Sequence, residues 1–296
     1  MLGGYSKFLI TGGTGTFGKA MATRLINGGA ERVVLLARHE AEMAAAEAVL
    51  GELPGAAVSL RCFLGDIRDR DRLEMALSNV DVIFHAAALK RIEQAQRDPI
   101  EAVKSNIYGT QALIEATIRK GTVKRVIGLS TDKACNPINL YGATKCVAEH
   151  LLLAANALSA GSCTFSVVRY GNVWASRGSV IHQWRAALSA GRPIRVTDPA
   201  ASRYFMTLDE AVDLVLNVVP HRVTSQVVIP NSLPAYLVGD LLDAFKRVYA
   251  CPDHPVSVMG LSAFEKLHET MDGVTDSSQA RRMTGAELQE IVWQTK

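Results

Sequence analysis

The chain has 296 residues, 48% of them hydrophobic and 21% charged, enough apolar material for a sizeable core and too much for a disordered or fibrous protein. Its 32 Lys and Arg against 29 Asp and Glu leave a formal charge of +3, too balanced to point to nucleic acid or an anionic membrane as partner. No apolar run approaches the roughly 18–20 residues of a membrane span, and residues 1–7 lead straight into a strand-like segment with no room for a signal peptide, so a cytoplasmic protein is expected.

In chain order, strand-like segments at 7–11, 32–36, 58–64, 80–85, 125–130 and 165–169 alternate with helical patterns at 17–27, 41–50, 70–77, 99–120 and 140–155. The strands are short, rich in Val, Ile, Leu and Phe, and not alternating, as a parallel sheet covered on both faces requires. Strand and helix in repeated succession predict a doubly wound, Rossmann-like α/β fold. After residue 172 the pattern loosens: a helix at 180–190, strands at 194–196 and 205–207, a helix at 208–218, a strand at 226–229, a helix at 237–249, a strand at 256–258 and a last helix from Gly285. The expected organisation is a dinucleotide-binding core over 1–172 and a smaller, irregular substrate lobe over 173–296, with some segments returning to the core. Five cysteines without a CxxC pair and seven dispersed histidines argue against a disulfide framework and against a metal site.

The first chemical signal follows the first strand. In Thr11-Gly12-Gly13-Thr14-Gly15-Thr16-Phe17-Gly18, the glycines Gly12, Gly15 and Gly18 open a helix whose exposed N–H groups suit a pyrophosphate. The end of the second strand reads Ala37-Arg38-His39 where an NAD site carries an acidic residue. A guanidinium there suits a 2′-phosphate, so NADP is expected rather than NAD. Asp66, with Ile67 beside it, ends the third strand, where a carboxylate can accept from the adenine amine. Ala86, Ala87 and Ala88 end the fourth, where small side chains let the cofactor pass. The second signal is Tyr141-Gly142-Ala143-Thr144-Lys145 on a helix, one βα unit beyond Ser130-Thr131. The i, i+4 spacing puts phenol and ammonium on one face. A neighbouring cation favours the phenolate and makes tyrosine a usable base.

These motifs together resemble the extended short-chain dehydrogenase/reductase family. The run from Ser130-Thr131-Asp132-Lys133 to Tyr141-Gly142-Ala143-Thr144-Lys145 resembles its inverting UDP-N-acetylglucosamine 4,6-dehydratases more narrowly. His85-Ala86-Ala87-Ala88-Leu89-Lys90, Val168-Arg169-Tyr170-Gly171-Asn172-Val173, Ser176-Arg177-Gly178-Ser179-Val180-Ile181 and Glu265-Lys266-Leu267-His268-Glu269 match the same subgroup. The resemblance implies an NADP-dependent lyase that oxidises a sugar transiently, eliminates water and returns the hydride. In that scheme Tyr141 takes the C4 hydroxyl proton beside Thr131 and Lys145, Lys133 removes the C5 proton, Asp132 donates to the departing C6 hydroxyl, and hydride returns to C6. Lys90 and Asn106 complete the implied cofactor set. Lys90, Tyr170, Asn172, Trp174, Arg177 and Arg203 are the implied substrate contacts. The implied partner is a small sugar nucleotide or nucleoside, and a homo-oligomer is expected.

Three departures fall in the substrate half. Ser262 stands where the family's Gly-x-Arg-x-Gly-Glu-Lys stretch carries an arginine that holds the diphosphate, with Phe264 in place of its second glycine. His182 replaces a proline, and Trp174 a small residue. Loss of a charge-assisted clamp predicts a pocket less suited to a diphosphate, with Trp174 as a stacking surface near Asn172. The same chemistry on a sugar or nucleoside without the diphosphate, giving an alkene, is one alternative. An epimerase or reductase is a second, opposed by the Asp132-Lys133 pair. A cofactor-binding regulatory protein without activity is opposed by the intact Thr131, Tyr141 and Lys145.

Overall fold

The computed structural model describes residues 2–176 and 178–296. Twelve strands among these residues are β1 (Lys7–Thr11), β2 (Arg32–Ala37), β3 (Leu60–Leu64), β4 (Val82–His85), β5 (Arg125–Thr131), β6 (Thr164–Tyr170), β7 (Asn172–Val173), β8 (Ile194–Val196), β9 (Ser202–Met206), β10 (Val227–Val228), β11 (Ala235–Leu237) and β12 (Val256–Val258). Seven form one parallel sheet in the order β10-β6-β5-β4-β1-β2-β3. This is the doubly wound, Rossmann-like fold expected. Successive residues of each strand enter different cores. Phe8, Ile10, Val33 and Leu35 pack on one face with Met21 and Leu25 of the Thr16–Asn27 helix. Leu9, Val34 and Leu36 pack on the other with Leu73 and Leu113. Burial on both faces is why these strands read as unbroken apolar runs.

The strand order reverses between β1 and β4, opening a crevice at their carboxyl ends, and Thr11 lies in register with His85 there. The Leu208–Val218 helix and β10 pack on this sheet: Val212 and Val215 join the Phe8 core, and β10 pairs with β6. Two small sheets, β11-β9-β7 and β12-β8, flank a separate core around Trp184 and Phe245, whose rings meet edge to face at 5.5 Å.

Local chemistry places the helices that matter. Asn139 caps the Leu140–Leu158 helix by accepting from the Gly142 N–H at 2.8 Å. A capping box, Thr207 with Glu210, starts the Leu208–Val218 helix. The strand expected from 58 begins only at Leu60, because residues Ala56–Ser59 form a helical turn after Gly55 at φ +85°. The helix expected over 99–120 is interrupted by a π-turn at Lys104–Tyr108, which turns Asn106 into the interior. The Ile92–Arg97 helix, β7 and β11 lie where no element was expected.

Candidate active site

The crevice is floored by the glycine turn. Gly12 has φ +68°, and a Cβ on it would meet the Ala87 nitrogen at 2.9 Å; a Cβ on Gly18 would meet the Gly12 carbonyl oxygen at 2.6 Å. The Thr16–Asn27 helix begins behind N-cap Gly15 with no side-chain cap and no acidic residue in its first turn. Its leading N–H groups therefore form a positive terminus suited to a dinucleotide's pyrophosphate. Thr14 donates to Glu42 at 3.3 Å, and Phe17 stacks on Tyr170 with ring centroids 6.4 Å apart.

At the ends of β2 and β3 the charges are more entangled than the sequence suggests. Arg38 donates to His39 at 3.3 Å and lies 3.8 Å from Asp66 and 3.7 Å from Glu101. Arg68, passed over in the sequence although it stands two residues after Asp66, grips both oxygens of that carboxylate at 2.8 and 2.7 Å and reaches Glu101 at 2.6 Å. Burial pushes the Asp66 carboxyl up, but the Arg68 bonds and charge, with that of Arg38, outweigh it and hold the carboxyl below its usual range. Both Asp66 oxygens thus already serve an arginine. Ile67 beside it packs on Gly109, where an added Cβ would lie 2.7 Å from its side chain.

A buried hydrogen-bonded line ties this turn to the Leu140–Leu158 helix. The Ala87 N–H donates to Thr11 Oγ1 (3.2 Å), and Thr110 Oγ1 donates to the Asn106 carbonyl (2.7 Å). His85 lies between them, 2.8 Å from Thr11 and 3.0 Å from Thr110. One proton arrangement satisfies all four contacts: Thr11 donates to His85 Nδ1, and His85 Nε2–H donates to Thr110. Burial, with the Lys145 charge, pushes His85 down to about 3, so the ring stays neutral. Asn106 brackets Leu89, accepting from its N–H at 2.7 Å and donating to its carbonyl at 3.1 Å, and donates to Thr144 at 2.9 Å. Ala86 and Ala87 thus lie against the glycine turn, Ala88 follows them toward the Asn106 bracket, and Lys90 is exposed at the rim.

The expected reacting groups gather at the carboxyl end of β5. Thr131 Oγ1 donates to Asp132 Oδ1 at 3.0 Å and shares a hydrogen bond with the Tyr141 phenol. Asp132 is fully buried, and among the described residues its Oδ2 has no hydrogen-bond partner. Lys133 Nζ donates to Asp132 Oδ1 (3.0 Å) and to Asn172 Oδ1 (3.2 Å) and lies 3.3 Å from Glu269 Oε1. Burial opposes the charge on Lys133, yet Asp132 and Glu269 together raise its pKa, so it rests as an ammonium. Lys133, the expected proton-removing residue, thus sits between two carboxylates. Burial pushes Tyr141 up to about 12 against the favourable Lys133 charge. Lys133, which the i, i+4 spacing did not suggest, is thus one cation that favours the phenolate. Lys145 is itself pushed down to about 8 by burial, partly offset by Glu149.

On the substrate side, Tyr170 and Asn172 flank Gly171, where an added Cβ would come within 3.5 Å of Asp132 Oδ2. Asn172 also meets the buried Tyr236 hydroxyl. Trp174, expected as a stacking surface, is half-buried. It packs on Phe205 at 5.8 Å against the edge of the Trp184 core, and among the described residues its buried Nε1 has no partner. Arg203 donates to the carbonyls of Ser202 and Leu267 at 2.7 and 3.1 Å, and its charge reaches Lys133. Arg177 lies outside the described residues. Ser262 is exposed and accepts from the Phe264 N–H at 3.3 Å. Tyr236 and Glu269 had no role in the sequence reading; Glu269 lay in plain view inside the Glu265–Glu269 motif.

Residues 8–289 match the family described as polysaccharide biosynthesis protein. The chain is 39% identical over 272 residues to the inverting UDP-N-acetylglucosamine 4,6-dehydratase of Campylobacter jejuni subsp. jejuni serotype O:2, covering 91% of this chain and 78% of that protein. It is 32% identical over 282 residues to the UDP-glucose 4-epimerase of Rickettsia akari, covering 94% and 80%. The X-ray structure of Pen from Bacillus thuringiensis superposes with a TM-score of 0.92 at 29% identity, covering 100% of this chain and 99% of that one. DesIV, the dTDP-glucose 4,6-dehydratase of Streptomyces venezuelae solved with NAD bound, shares the fold at a TM-score of 0.80 and 21% identity, covering 98% and 97%.

Proposed function

The chain belongs to the polysaccharide biosynthesis protein family, and we propose that it is a sugar dehydratase that acts on a nucleotide-linked sugar with NADP. The observation that carries this reading is the joined set Tyr141–Thr131–Asp132–Lys133, in which a redox phenol shares one hydrogen-bonded line with an acid–base pair. Oxidation and epimerisation need the phenol and a hydroxyl; elimination of water also needs a proton taken beside the ketone and one given to the leaving oxygen. The relatives are named both as dehydratases and as epimerases, and the buried Asp132-Lys133 pair favours the former.

The glycine cradle and uncapped helix terminus fit a dinucleotide, Arg38 would face its 2′-phosphate, and a bound nicotinamide would supply reversible hydride acceptance from the sugar carbon. Tyr141 acts as the phenolate, its own proton given up to solvent, a loss that the Lys133 charge favours and burial opposes, and it accepts the proton of the hydroxyl being oxidised. The ketone acidifies the adjacent carbon. Asp132 Oδ2, buried and without a partner, takes that proton, and the Lys133 ammonium donates to the departing hydroxyl. This order reverses the one implied by the resemblance, and the support for it is the clamp that keeps Lys133 protonated.

A second reading, the same chemistry on a sugar or nucleoside without the diphosphate, is favoured by one observation. Among the described residues, two cations of the substrate half are already committed, Arg203 to two carbonyls and Lys266 to the Cys135 carbonyl at 2.6 Å, while Ser262 brings no charge. The test is incubation with NADP and, separately, UDP-N-acetylglucosamine and free nucleosides, read by mass for loss of one water. Tyr141→Phe should abolish turnover; Asp132→Asn and Lys133→Ala should stop water loss while reduced cofactor still forms. Dehydration at the parent rate by either of the last two variants refutes the acid–base assignment.

A further inference from the structure

We propose that Glu269 is a positioning residue for Lys133: the loop after β12 brings its carboxylate to the end of β5, where with Asp132 it forms a two-sided clamp that keeps the lysine an ammonium and fixes its place. Glu269 Oε1 lies 3.3 Å from Lys133 Nζ, with Asp132 at 3.0 Å and the Asn172 amide oxygen at 3.2 Å on other sides. The Glu269 side chain is only 3% exposed, so water does little to screen it. Its placement is built in. The Glu269 N–H donates to Ser277 Oγ at 3.0 Å, and the Ser277 N–H returns a bond to the Glu269 carbonyl at 2.8 Å. Lys266, 3.6 Å from the other carboxylate oxygen, ties the same loop to the Cys135 carbonyl.

The charged and titratable groups facing Lys133 are Asp132 and Glu269, which favour the ammonium, Arg203, which opposes it, and the Tyr141 and Tyr236 phenols. A single opposite charge within about 4–6 Å shifts a pKa by about 1–3 units, so neutralising Glu269 should release the Lys133 proton by that much. The consequence for catalysis, a proton ready for the departing hydroxyl, rests on the proposed dehydratase reading. The clamp itself belongs to the chain without substrate and is tested there.

The experiment is competitive acetylation of the full chain by isotopically labelled acetic anhydride at fixed alkaline pH, read peptide by peptide by mass, with exposed Lys104 as internal standard. Alkylation of buried Cys135 reports any loosening of the loop. In Glu269→Gln, Lys133 acetylation should rise at least tenfold relative to Lys104, with Cys135 alkylation unchanged. If Glu269→Gln does not fold, Glu269→Asp, which draws the charge back by one methylene, should show a smaller rise in the same direction. Lys133 labelling that does not change in a folded variant, or that rises only in step with Cys135, overturns the proposal. Failure of every sugar and nucleoside to lose water, with Lys133 labelling still raised, removes the dehydratase reading and leaves the clamp standing.

Discussion

Arg169 and Glu149 form a buried ion pair behind the candidate site. Arg169 on β6 holds both oxygens of Glu149, at 3.0 and 2.5 Å, and Glu149 lies one helical turn beyond Lys145. The third guanidinium contact is the Met271 carbonyl, two residues past Glu269, so this pair joins the Leu140–Leu158 helix to the C-terminal loop. The two side chains are 12% and 4% exposed, which places the pair among buried ones, where removing one partner strands an uncompensated charge. Arg169→Met should therefore cost about 3–5 kcal/mol for the stranded Glu149 and about 1 kcal/mol for the lost bond to Met271. Against a total stability of about 5–15 kcal/mol, that is a large fraction. Glu149→Leu combined with Arg169→Met leaves no lone charge and should recover most of the loss. Equilibrium urea unfolding checks this through the midpoint at constant slope. A single-variant cost below about 1 kcal/mol, or a double variant as costly as the sum of its singles, would refute the reasoning.

Three further outcomes follow from the site. Lys145 has a folded pKa of about 8 against 10.5, so between those values the unfolded chain binds the extra proton and stability rises with pH. Lys145→Met should be the more stable chain at pH 7, and its advantage should shrink by up to roughly 3 kcal/mol across that window in melts recorded at each pH. Thr11→Val deprives both His85 Nδ1 and the Ala87 N–H of their partner and should cost about 2–4 kcal/mol by urea unfolding; a neutral effect would mean that the buried line is not formed. NADP should bind about tenfold more tightly than NAD, the low end for a charge-assisted contact because Arg38 is half-exposed and shared with Asp66 and Glu101. Arg38→Asp should reverse the order in a binding titration, and tighter binding of NAD by the parent chain would remove Arg38 as the discriminating residue.

Much of this was legible in sequence because it is local. Gly12, Gly15 and Gly18 are needed where backbone meets backbone within one turn, and a Cβ at Gly12 would indeed strike Ala87. Tyr141 and Lys145 share a helix, and the apolar runs of β1, β2, β4 and β5 announce a sheet buried on both faces. Tertiary structure decided what those residues meet. Arg68 takes Asp66 and Glu101; Phe205 packs against Trp174; and Glu269, from near the end of the chain, closes on Lys133. The protonation of Lys133, Tyr141 and His85 follows from that packing. A pKa is set by lost water and by charges a few ångströms away, and neither distance nor desolvation is encoded in the spacing of residues along a chain.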